Sequence, residues 1–332
     1  SMGSVLRRVA GRAALLHHRE AIQARLHPLQ LGCMTQRGCE SVIHDLALHI
    51  ERNPTHTVLH LDVGNAFNSQ SRFAFLAQVQ ECFPDVLPLV AQFYLHESDL
   101  LVWGRSSDGS RALRKLLSVS GQQQDDTLGS LLFCLGIHPV LEAVAANWPS
   151  LLVRAICDDV HIVGPDADVA GAYEFIKARF GDMCLQLKYG ATKTCCWSPT
   201  FEQGDDSFLP APVARLRGGM GVLGSFVGTD EYVAAAAEAH VDSLRPGAES
   251  IRQATADVSE LACGRVKNAR DIAGALLRVC VVSKTGYLAR TVRPDLLQRA
   301  AARADELLAQ TFCAVYELPA DIFTADASPL ER

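Results

Sequence analysis

Two adjacent aspartates, Asp158 and Asp159, interrupt an otherwise apolar stretch, 155–163. Neighbouring carboxylates repel each other, and apolar surroundings make their charges costlier still. A divalent cation would relieve that repulsion, and oxygen ligands of this kind suit Mg²⁺. A solvated surface turn is the structural alternative, but Asn-Gly or Asp-Gly would form such a turn better. The pair therefore predicts two short strands that meet at a charged, chemically useful turn.

A third carboxylate follows another apolar stretch. Residues 58–61 form a short apolar run that leads directly into Asp62. Carboxylates from separate strand ends can together hold the two metal ions of a phosphoryl-transfer site. Asp62 is therefore the candidate that would complete a site with Asp158 and Asp159.

Hydrophobic periodicity divides the chain into an α+β half and a helical half. The residues between the halves, 200–218, are rich in Pro, Gly and Asp and predict a boundary. In the second half, Thr229 is a predicted N-cap. Helices are predicted over 5–26, 37–52, 70–82, 86–96, 127–147, 168–184 and most of 229–317, with strands over 58–61, 99–103, 113–119, 151–157 and 160–163 and a short strand or hairpin over 221–227.

Composition excludes several classes of protein. Of 332 residues, 48% are hydrophobic and 20% are charged, which excludes global disorder and coiled coil. Residues 127–146 are the most apolar window, but His138, Pro139 and Glu142 interrupt it, so no membrane span and no membrane partner are expected. No secretory signal is recognised at the start. Eleven cysteines without a CxxC pair indicate reduced intracellular thiols, without disulfides or a structural metal.

Charge is unevenly distributed along the chain. The net charge is −6, which gives no global signal for nucleic-acid binding. Residues 261–300, however, hold eight basic residues and only two acidic ones. Such a basic helical segment can follow a nucleic-acid backbone. A solubilising helix surface is the simpler alternative.

Five short motifs occur in an order that resembles the catalytic motifs of reverse transcriptases. The likeness is greatest to the polymerases of protist retrotransposons or a domesticated relative, and it covers roughly residues 5–315. The motifs are Leu-Asp-Val-Gly-Asn-Ala-Phe-Asn-Ser at 61–69, Gly-Gln-Gln-Gln-Asp-Asp-Thr-Leu-Gly-Ser-Leu-Leu-Phe at 121–133, Cys-Asp-Asp at 157–159, Leu-Gln-Leu through Lys at 185–193, and Val-Leu-Gly at 222–224.

The resemblance implies an α+β, right-hand polymerase fold. A palm made of an antiparallel sheet with helices would carry the site, beside partial fingers and a helical thumb. The implied divisions are 1–54 for the partial fingers, 55–200 for the palm with inserted finger segments, 201–228 for a linker and primer-grip hairpin, and 229–332 for the helical thumb and connection.

The resemblance also implies roles for the charged residues. Asp62 and Asp158 would bind two Mg²⁺ (or Mn²⁺) ions, and Asp159 would support or adjust that metal site. Lys193 would place a cation near the triphosphate or act as a general acid, whereas a lone lysine on a solvated face is its simpler interpretation.

Around the nucleotide, the resemblance implies a steric gate and a phosphate cradle. The ring of Phe67 would lie under the sugar, exclude a 2′-hydroxyl and so favour deoxynucleotides; a core position is the alternative. Gln124 would contact the template or the region of the incoming base, whereas a polar residue at the start of a helix is its simpler interpretation. The backbone N–H groups of Val63, Gly64, Asn65 and Ala66 would cradle the triphosphate.

The primer and the duplex would be held elsewhere in the chain. Leu223 and Gly224 match the primer-grip hairpin. The implied partners are an RNA template, a DNA primer and deoxynucleoside triphosphates, and the implied location is intracellular and nuclear. The cations that would follow the duplex backbone are Arg265, Lys267, Arg270, Arg278, Lys284, Arg290 and Arg293.

Three hypotheses about function remain open. The first is an RNA-directed DNA polymerase domain that performs two-metal nucleotidyl transfer. The second is a domesticated, catalytically weak or inactive relative that serves as an RNA-binding or assembly module, with a protein partner. The third is an RNA-dependent RNA polymerase, against which Phe67 argues.

Departures from the family pattern favour the second hypothesis. Asp125 replaces the glycine that lets template backbone approach closely in the second motif. The family's Arg-Pro-Ile motif is expected to precede this chain, which leaves Arg7, Arg8 and Arg12 as substitutes near the triphosphate. The acidic net charge favours the same hypothesis.

Overall fold

The computed structural model comprises two compact units, Ser1–Arg217 and Gly218–Arg332. Three predicted site residues, Gln124, Arg265 and Lys267, lie outside the described residues, as does Asp125. The structure describes residues 5–105, 109–123, 126–201, 208–260, 269–319 and 322–323.

The first unit mixes helices and strands, as predicted. Its helices are α1 (Val5–His17), α2 (Arg19–Leu26), α3 (Gly38–Arg52), α4 (Ala66–Ser69), α5 (Arg72–Cys82), α6 (Leu87–Tyr94), α7 (Gly129–Asn147) and α8 (Asp166–Asp182). Its strands are β1 (Thr57–Val63), β2 (Ser98–Arg105), β3 (Arg111–Ser118), β4 (Leu152–Ile156), β5 (Asp159–Gly164), β6 (Leu187–Lys188), β7 (Cys195–Trp197) and β8 (Ala214–Arg215).

A six-stranded sheet forms the centre of this unit. Its strand order is β4–β5–β1–β7–β8, and β6 also pairs with β1. All neighbours are antiparallel except β7 and β8. Because β1 lies inside the sheet, nearly every residue of its apolar run is buried. This placement brings the end of β1 beside the start of β5.

Two hydrophobic clusters hold the first unit together, and α7 contributes to both. One packs the sheet against α7 and α8, and the other packs α7 against α2, α5 and α6. Within the described residues, two helical stretches, Gly129–Asn147 and Arg270–Thr291, are long and apolar enough to cross a membrane. The apolar window of Gly129–Asn147 is 67% buried, as expected of a core helix; that of Arg270–Thr291 is 22% buried.

Strands β2 and β3 form a separate two-stranded sheet, which confirms the predicted hairpin. Their register pairs Trp103 with Leu113 and Arg105 with Arg111. Every second residue on these strands is exposed, and several on the other face are too. The hairpin therefore contributes little to either hydrophobic cluster.

The second unit joins a small hairpin to a group of helices. Thr229 caps the first helix by accepting a hydrogen bond from the N–H of Tyr232 at 3.3 Å, as predicted. Its elements are β9 (Gly219–Val222), β10 (Ser225–Gly228), α9 (Asp230–Ser243), α10 (Arg245–Glu260), α11 (Ala269–Leu277), a π-helical turn (Arg278–Val282), α12 (Ser283–Thr291) and α13 (Pro294–Tyr316).

Some elements differ from the sequence-based expectation. The single helix predicted over 5–26 is divided at His18 into α1 and α2. The short strands β6, β7 and β8 were not predicted, because two or three residues carry no periodic signal. They form by pairing with β1, or with each other, across the sheet.

Candidate active site

The aspartate pair occupies a tight turn between β4 and β5. Ile156 pairs with Asp159, which leaves Cys157 and Asp158 as the two turn residues. Cys157 has a φ of +52°. A positive φ at the first position of a two-residue hairpin turn normally calls for glycine. A cysteine there needs contacts from elsewhere in the fold to hold it.

Gln30 supplies those contacts. Its side-chain Oε1 accepts the N–H of Cys157 at 2.8 Å, and its Nε2 donates to the Cys157 carbonyl at 3.0 Å. The same Oε1 accepts the N–H of Gly32 at 3.0 Å. Gln30 is fully buried. A Cβ on Gly32 would lie 2.5 Å from the Cys157 nitrogen, so glycine is required there.

Sequence reasoning missed Gln30. The hydrogen bonds join residues 127 positions apart, and a single glutamine before a glycine is no recognisable motif. Only the folded chain brings this side chain to the aspartate turn. Gln30 is therefore a positioning residue for Asp158 and Asp159.

Strand register brings Asp62 to the same place. Leu61 of β1 pairs with Val160 of β5, so the next step along the antiparallel register joins Asp62 to Asp159. Both Asp158 and Asp159 are half-buried. The three carboxylates that were predicted to meet are thus brought together at neighbouring strand ends.

The carboxylates act on one another electrostatically. Burial raises the pKa of Asp158, and the charges of Asp159 and Asp62 raise it further. Burial and the charge of Asp62 also raise the pKa of Asp159. Burial is thus the main cause of both raised pKa values, and the like charges of neighbouring carboxylates add to it.

Lys193 is the cation that faces this cluster. Its Nζ lies 2.7 Å from Oδ2 of Asp62, and this hydrogen bond raises the pKa of Lys193. The Lys193 charge also opposes the raised pKa of Asp158 and of Asp159. Next to it, the hydroxyl of Thr194 accepts the N–H of Asp62 at 3.2 Å. One lysine thus faces three carboxylates.

Two histidines beneath the cluster add no positive charge. Nε2 of His60 lies 3.7 Å from Oδ1 of Asp159. Burial lowers the pKa of His60 to about 4, and full burial holds that of His161 well below its usual value. Both rings are therefore neutral near pH 7, and Nδ1 of His60 lies 3.2 Å from Nε2 of His161.

Phe67 lies on α4, directly after β1. Its ring stacks on Phe133 with a centroid distance of 4.8 Å and an interplanar angle of 22°. The side chain is half-buried, so one face is packed while part of the ring stays accessible. This position is compatible with both the gate and the core interpretation, and the gate stays a prediction.

Not all of the backbone N–H groups in the predicted phosphate cradle, 63–66, are free to bind a phosphate. The N–H of Gly64 already donates to the carbonyl of Gln186 at 2.8 Å. Asn65 has a φ of +52° and is exposed, and Ala66 is buried at the start of α4. The cradle therefore depends on the remaining backbone groups of this turn.

The second motif is tied to α4 by its backbone. The N–H of Gln122 donates to the Phe67 carbonyl at 2.7 Å, and that of Gly121 donates to the Gln70 carbonyl at 2.9 Å. Gly121 has a φ of +64°, and a Cβ there would lie 2.2 Å from the Phe67 oxygen. Glycine is required at this junction, which couples the first motif to the second.

Arg7 supports the second motif. Its Nη2 lies 2.5 Å from Oδ2 of Asp126, and its Nη1 donates to Oε1 of Gln123 at 2.9 Å. It also donates to the hydroxyl of Tyr94 at 2.9 Å. The expectation that Arg7 replaces a triphosphate-binding arginine does not fit this geometry, because its guanidinium is engaged. Arg8 and Arg12 are exposed on α1.

In the second unit, the predicted primer-grip residues form the β9–β10 turn. Leu223 and Gly224 have φ values of +49° and +81°. Positive φ at both positions is what a type I′ turn requires. The hydroxyl of Tyr287 on α12 donates to the Leu223 carbonyl at 2.7 Å, which fixes the turn on its helices. The primer-grip role stays a prediction.

Among the described cations that were predicted to follow a nucleic-acid backbone, two are already in ion pairs with carboxylates. Arg270 is paired with Glu317 at 2.5 Å. Arg293 is paired with Asp230 and with Asp295, at 2.9 Å each. The other described members of the set, all exposed, are Arg278, Lys284 and Arg290.

Comparison with known proteins gives structural similarity only. No protein-family model matches this chain, and no curated protein matches it. Telomerase from Candida albicans, in complex with a TWJ fragment of telomeric RNA, aligns with 98% of this chain and 55% of its own length. The identity is 10% and the TM-score is 0.40.

Two telomerase structures from Candida tropicalis also align. The apo form covers 93% of this chain and 55% of its own, at 9% identity and a TM-score of 0.45. The complex with a TWJ fragment of telomeric RNA covers 92% and 51%, at 10% identity and a TM-score of 0.48. This chain thus spans about half the length of the solved structures it matches. Because these TM-scores are below 0.5, the function proposed below rests on this chain's own residues.

Proposed function

We propose that this chain is a reverse-transcriptase-like domain of retrotransposon type, which adds deoxynucleotides to a DNA primer on an RNA template. The observation that carries the proposal is the meeting of Asp62, Asp158 and Asp159 at neighbouring strand ends, with Lys193 beside them. Under this proposal the six-stranded sheet with α7 and α8 is the palm of a right-hand polymerase, and α9–α13 are its thumb.

The three carboxylates suit divalent cations. They are hard oxygen donors, they sit half-buried at strand ends, and their mutual repulsion exceeds what Lys193 neutralises. Asp62 and Asp158 would hold two Mg²⁺ or Mn²⁺ ions, with Asp159 in support. Such ions, when bound, activate the primer 3′-hydroxyl and neutralise the charge of the leaving pyrophosphate.

The other residues position the reactants. Gln30 holds the aspartate turn in its strained conformation. Lys193 has a half-exposed side chain, so its ammonium group can serve a triphosphate as well as Asp62. Phe67 is fixed against Phe133, where a rigid ring would exclude a 2′-hydroxyl. A protein with these partners would act inside the cell, and we propose the nucleus.

Primer extension by the full chain tests the proposal. An RNA template, a DNA primer, deoxynucleotides and either Mg²⁺ or Mn²⁺ are expected to give extended product. Asp62→Asn and Asp158→Asn should each lower the rate by at least about 10²-fold, since each removes charge from the reacting centre. Asp182→Asn is the matched control, because this exposed carboxylate lies on α8 and pairs with Arg179 at 3.5 Å. Extension that survives both site variants would refute the assignment.

Two further variants test the positioning roles. Phe67→Ala should admit ribonucleotides, and unchanged discrimination would refute the gate. Lys193→Met should slow extension, whereas Lys177→Met, which breaks an exposed pair with Glu174, should not. RNA binding without extension in any variant would instead support the alternative of a non-catalytic RNA-binding module.

A further inference from the structure

One face of the β2–β3 hairpin carries a set of side chains that the fold does not use. Alternation along the strands puts Leu101, Trp103 and Arg105 on the same face. In register they lie opposite Lys115, Leu113 and Arg111. All six side chains are exposed. We call these six residues the ribbon face.

The apolar members of the ribbon face are unusually accessible. Trp103 is 69% exposed and Leu101 is 64% exposed. Neither belongs to a hydrophobic cluster of the first unit. Exposed apolar patches on a protein surface mark interaction sites or ligand-binding grooves. Packing therefore does not explain why a tryptophan stands here.

The charges of the hairpin favour an anionic partner. Strands β2 and β3 together carry four cations and one carboxylate, in a chain with a net charge of −6. That carboxylate, Asp99, already pairs with Lys115 at 2.7 Å. Arg105 and Arg111 lie directly opposite each other, where like charges are unfavourable. Within the described residues neither guanidinium has an ion-pair partner.

The tryptophan and the two arginines border one concavity. Trp103, Gly104, Arg105 and Arg111 line a cavity of about 440 Å³. An exposed ring beside two guanidiniums offers a stacking surface for a base and donors for its phosphates. This combination is how proteins bind single-stranded nucleic acid without reading its sequence.

We propose that the ribbon face binds single-stranded nucleic acid, with a base stacked on Trp103 and phosphates paired with Arg105 and Arg111. An apolar protein surface is a poorer occupant, because it would bury two facing guanidiniums without counter-charges. The site does not involve Asp62, Asp158 or Asp159, so it goes beyond the proposed polymerisation and does not depend on it.

Fluorescence anisotropy tests this binding. The full chain is titrated into a fluorescein-labelled oligouridine RNA of about 12 nucleotides, within the usual length of a single-strand site. EDTA is present and nucleotides are omitted. Trp103→Leu keeps an apolar side chain but loses the aromatic plane, and should weaken binding about tenfold. Trp103→Phe should restore most of the affinity.

The arginines have a separate signature. Arg105→Gln with Arg111→Gln should make the negative slope of log K against log salt shallower by about 1.4, since each phosphate contact contributes about −0.7. The matched control is Leu116→Ala, on the opposite face of the same hairpin, which should leave affinity and slope unchanged. Circular dichroism establishes that each variant is folded.

Three outcomes would overturn the proposal. Unchanged affinity in both Trp103→Leu and the double arginine variant would place RNA elsewhere. Equal affinity in Trp103→Leu and the wild type, with a loss only from the arginines, would refute base stacking. Dimerisation by light scattering that Trp103→Leu abolishes, without any effect on RNA, would identify a second copy as the occupant. Binding is measured in EDTA without nucleotides and extension is measured separately, so failed polymerisation remains distinguishable from failed binding at the ribbon face.

Discussion

The two hairpins of the first unit, β4–β5 and β2–β3, differ in what holds them in place. Strand β5 lies inside the six-stranded sheet, and the buried side chain of Gln30 fixes the turn before it. Among the described strands, β2 and β3 pair with each other and with no other strand. The first carries clustered negative charge on a rigid base, and the second carries cations and a tryptophan on an open face.

This difference shows how tertiary support and function are related in this fold. A repulsive cluster such as Asp158 and Asp159 persists only where packing over-determines the backbone. The exposed β2–β3 hairpin needs no such support, because its cations remain solvated. The two hairpins should therefore respond very differently to mutation.

The largest expected difference concerns leucines. Leu59 is fully buried on β1 and pairs with Ile162 of β5, so Leu59→Ala should lower the free energy of unfolding by about 2–5 kcal/mol. Leu116 on β3 is 53% exposed, and Leu116→Ala should change it by less than about 0.5 kcal/mol. Urea unfolding measures both. Equal losses in the free energy of unfolding would mean that Leu116 of the β2–β3 hairpin is packed in solution.

Two glycines with positive φ give a matched steric test. Gly109, between β2 and β3, has a φ of +83°, and no atom of the described residues lies within 4 Å of an added Cβ. Gly121 has a φ of +64°, but its Cβ would collide with the backbone of Phe67 and Asn68. Gly121→Ala should therefore cost about 1–3 kcal/mol more than Gly109→Ala. Similar thermal stabilities of the two variants would contradict the close packing of the second motif.

Loss of the hydrogen bonds from the Gln30 side chain to Cys157 should lower stability by a comparable amount. Gln30→Ala leaves the N–H and the carbonyl of Cys157 without their partner, so the free energy of unfolding should fall by about 1–3 kcal/mol. Gln23→Ala, at an exposed position on α2, is the control and should be nearly neutral. Denaturant unfolding compares them. If Gln30→Ala and Gln23→Ala have the same free energy of unfolding, the aspartate turn does not depend on the hydrogen bonds of Gln30.

The smallest expected change is a gain in stability, at Asp158. Burial and like charges raise the pKa of Asp158, so its ionised form destabilises the folded state. Asp158→Asn should therefore raise the free energy of unfolding at neutral pH by about 0.5–2 kcal/mol in EDTA. The unfolded chain releases the Asp158 proton at a lower pH than the folded chain, so the wild type loses stability as pH rises through the raised pKa. The variant has no such loss. The difference in free energy of unfolding between variant and wild type should therefore widen from acid to neutral pH. A destabilised variant at pH 7 would contradict the repulsion.

Local features of the chain were predictable from sequence. The apolar run that forms β1, the β2–β3 hairpin and the cap at Thr229 each depend on neighbouring residues alone. Alternation and capping are short-range signals, so their bounds agree with the structure to within a few residues.

Contacts between distant residues were not predictable. The bonds from Gln30 to Cys157 and from Arg7 to Asp126 span more than a hundred residues. The short strands β6 and β7 form by pairing with β1, and β8 forms by pairing with β7. Nothing in the local sequence specifies such partners, because their energies come from burial and register in the complete fold.

For the candidate site, the sequence alone determined which carboxylates end apolar strands, namely Asp62 and the Asp158–Asp159 pair. Tertiary structure decided that they meet, since antiparallel register joins the end of β1 to the start of β5. It also decided that Lys193 pairs with Asp62 and that the nearby His60 stays neutral. The physical reason is that charge interactions depend on distance and desolvation, which the chain acquires only when it folds.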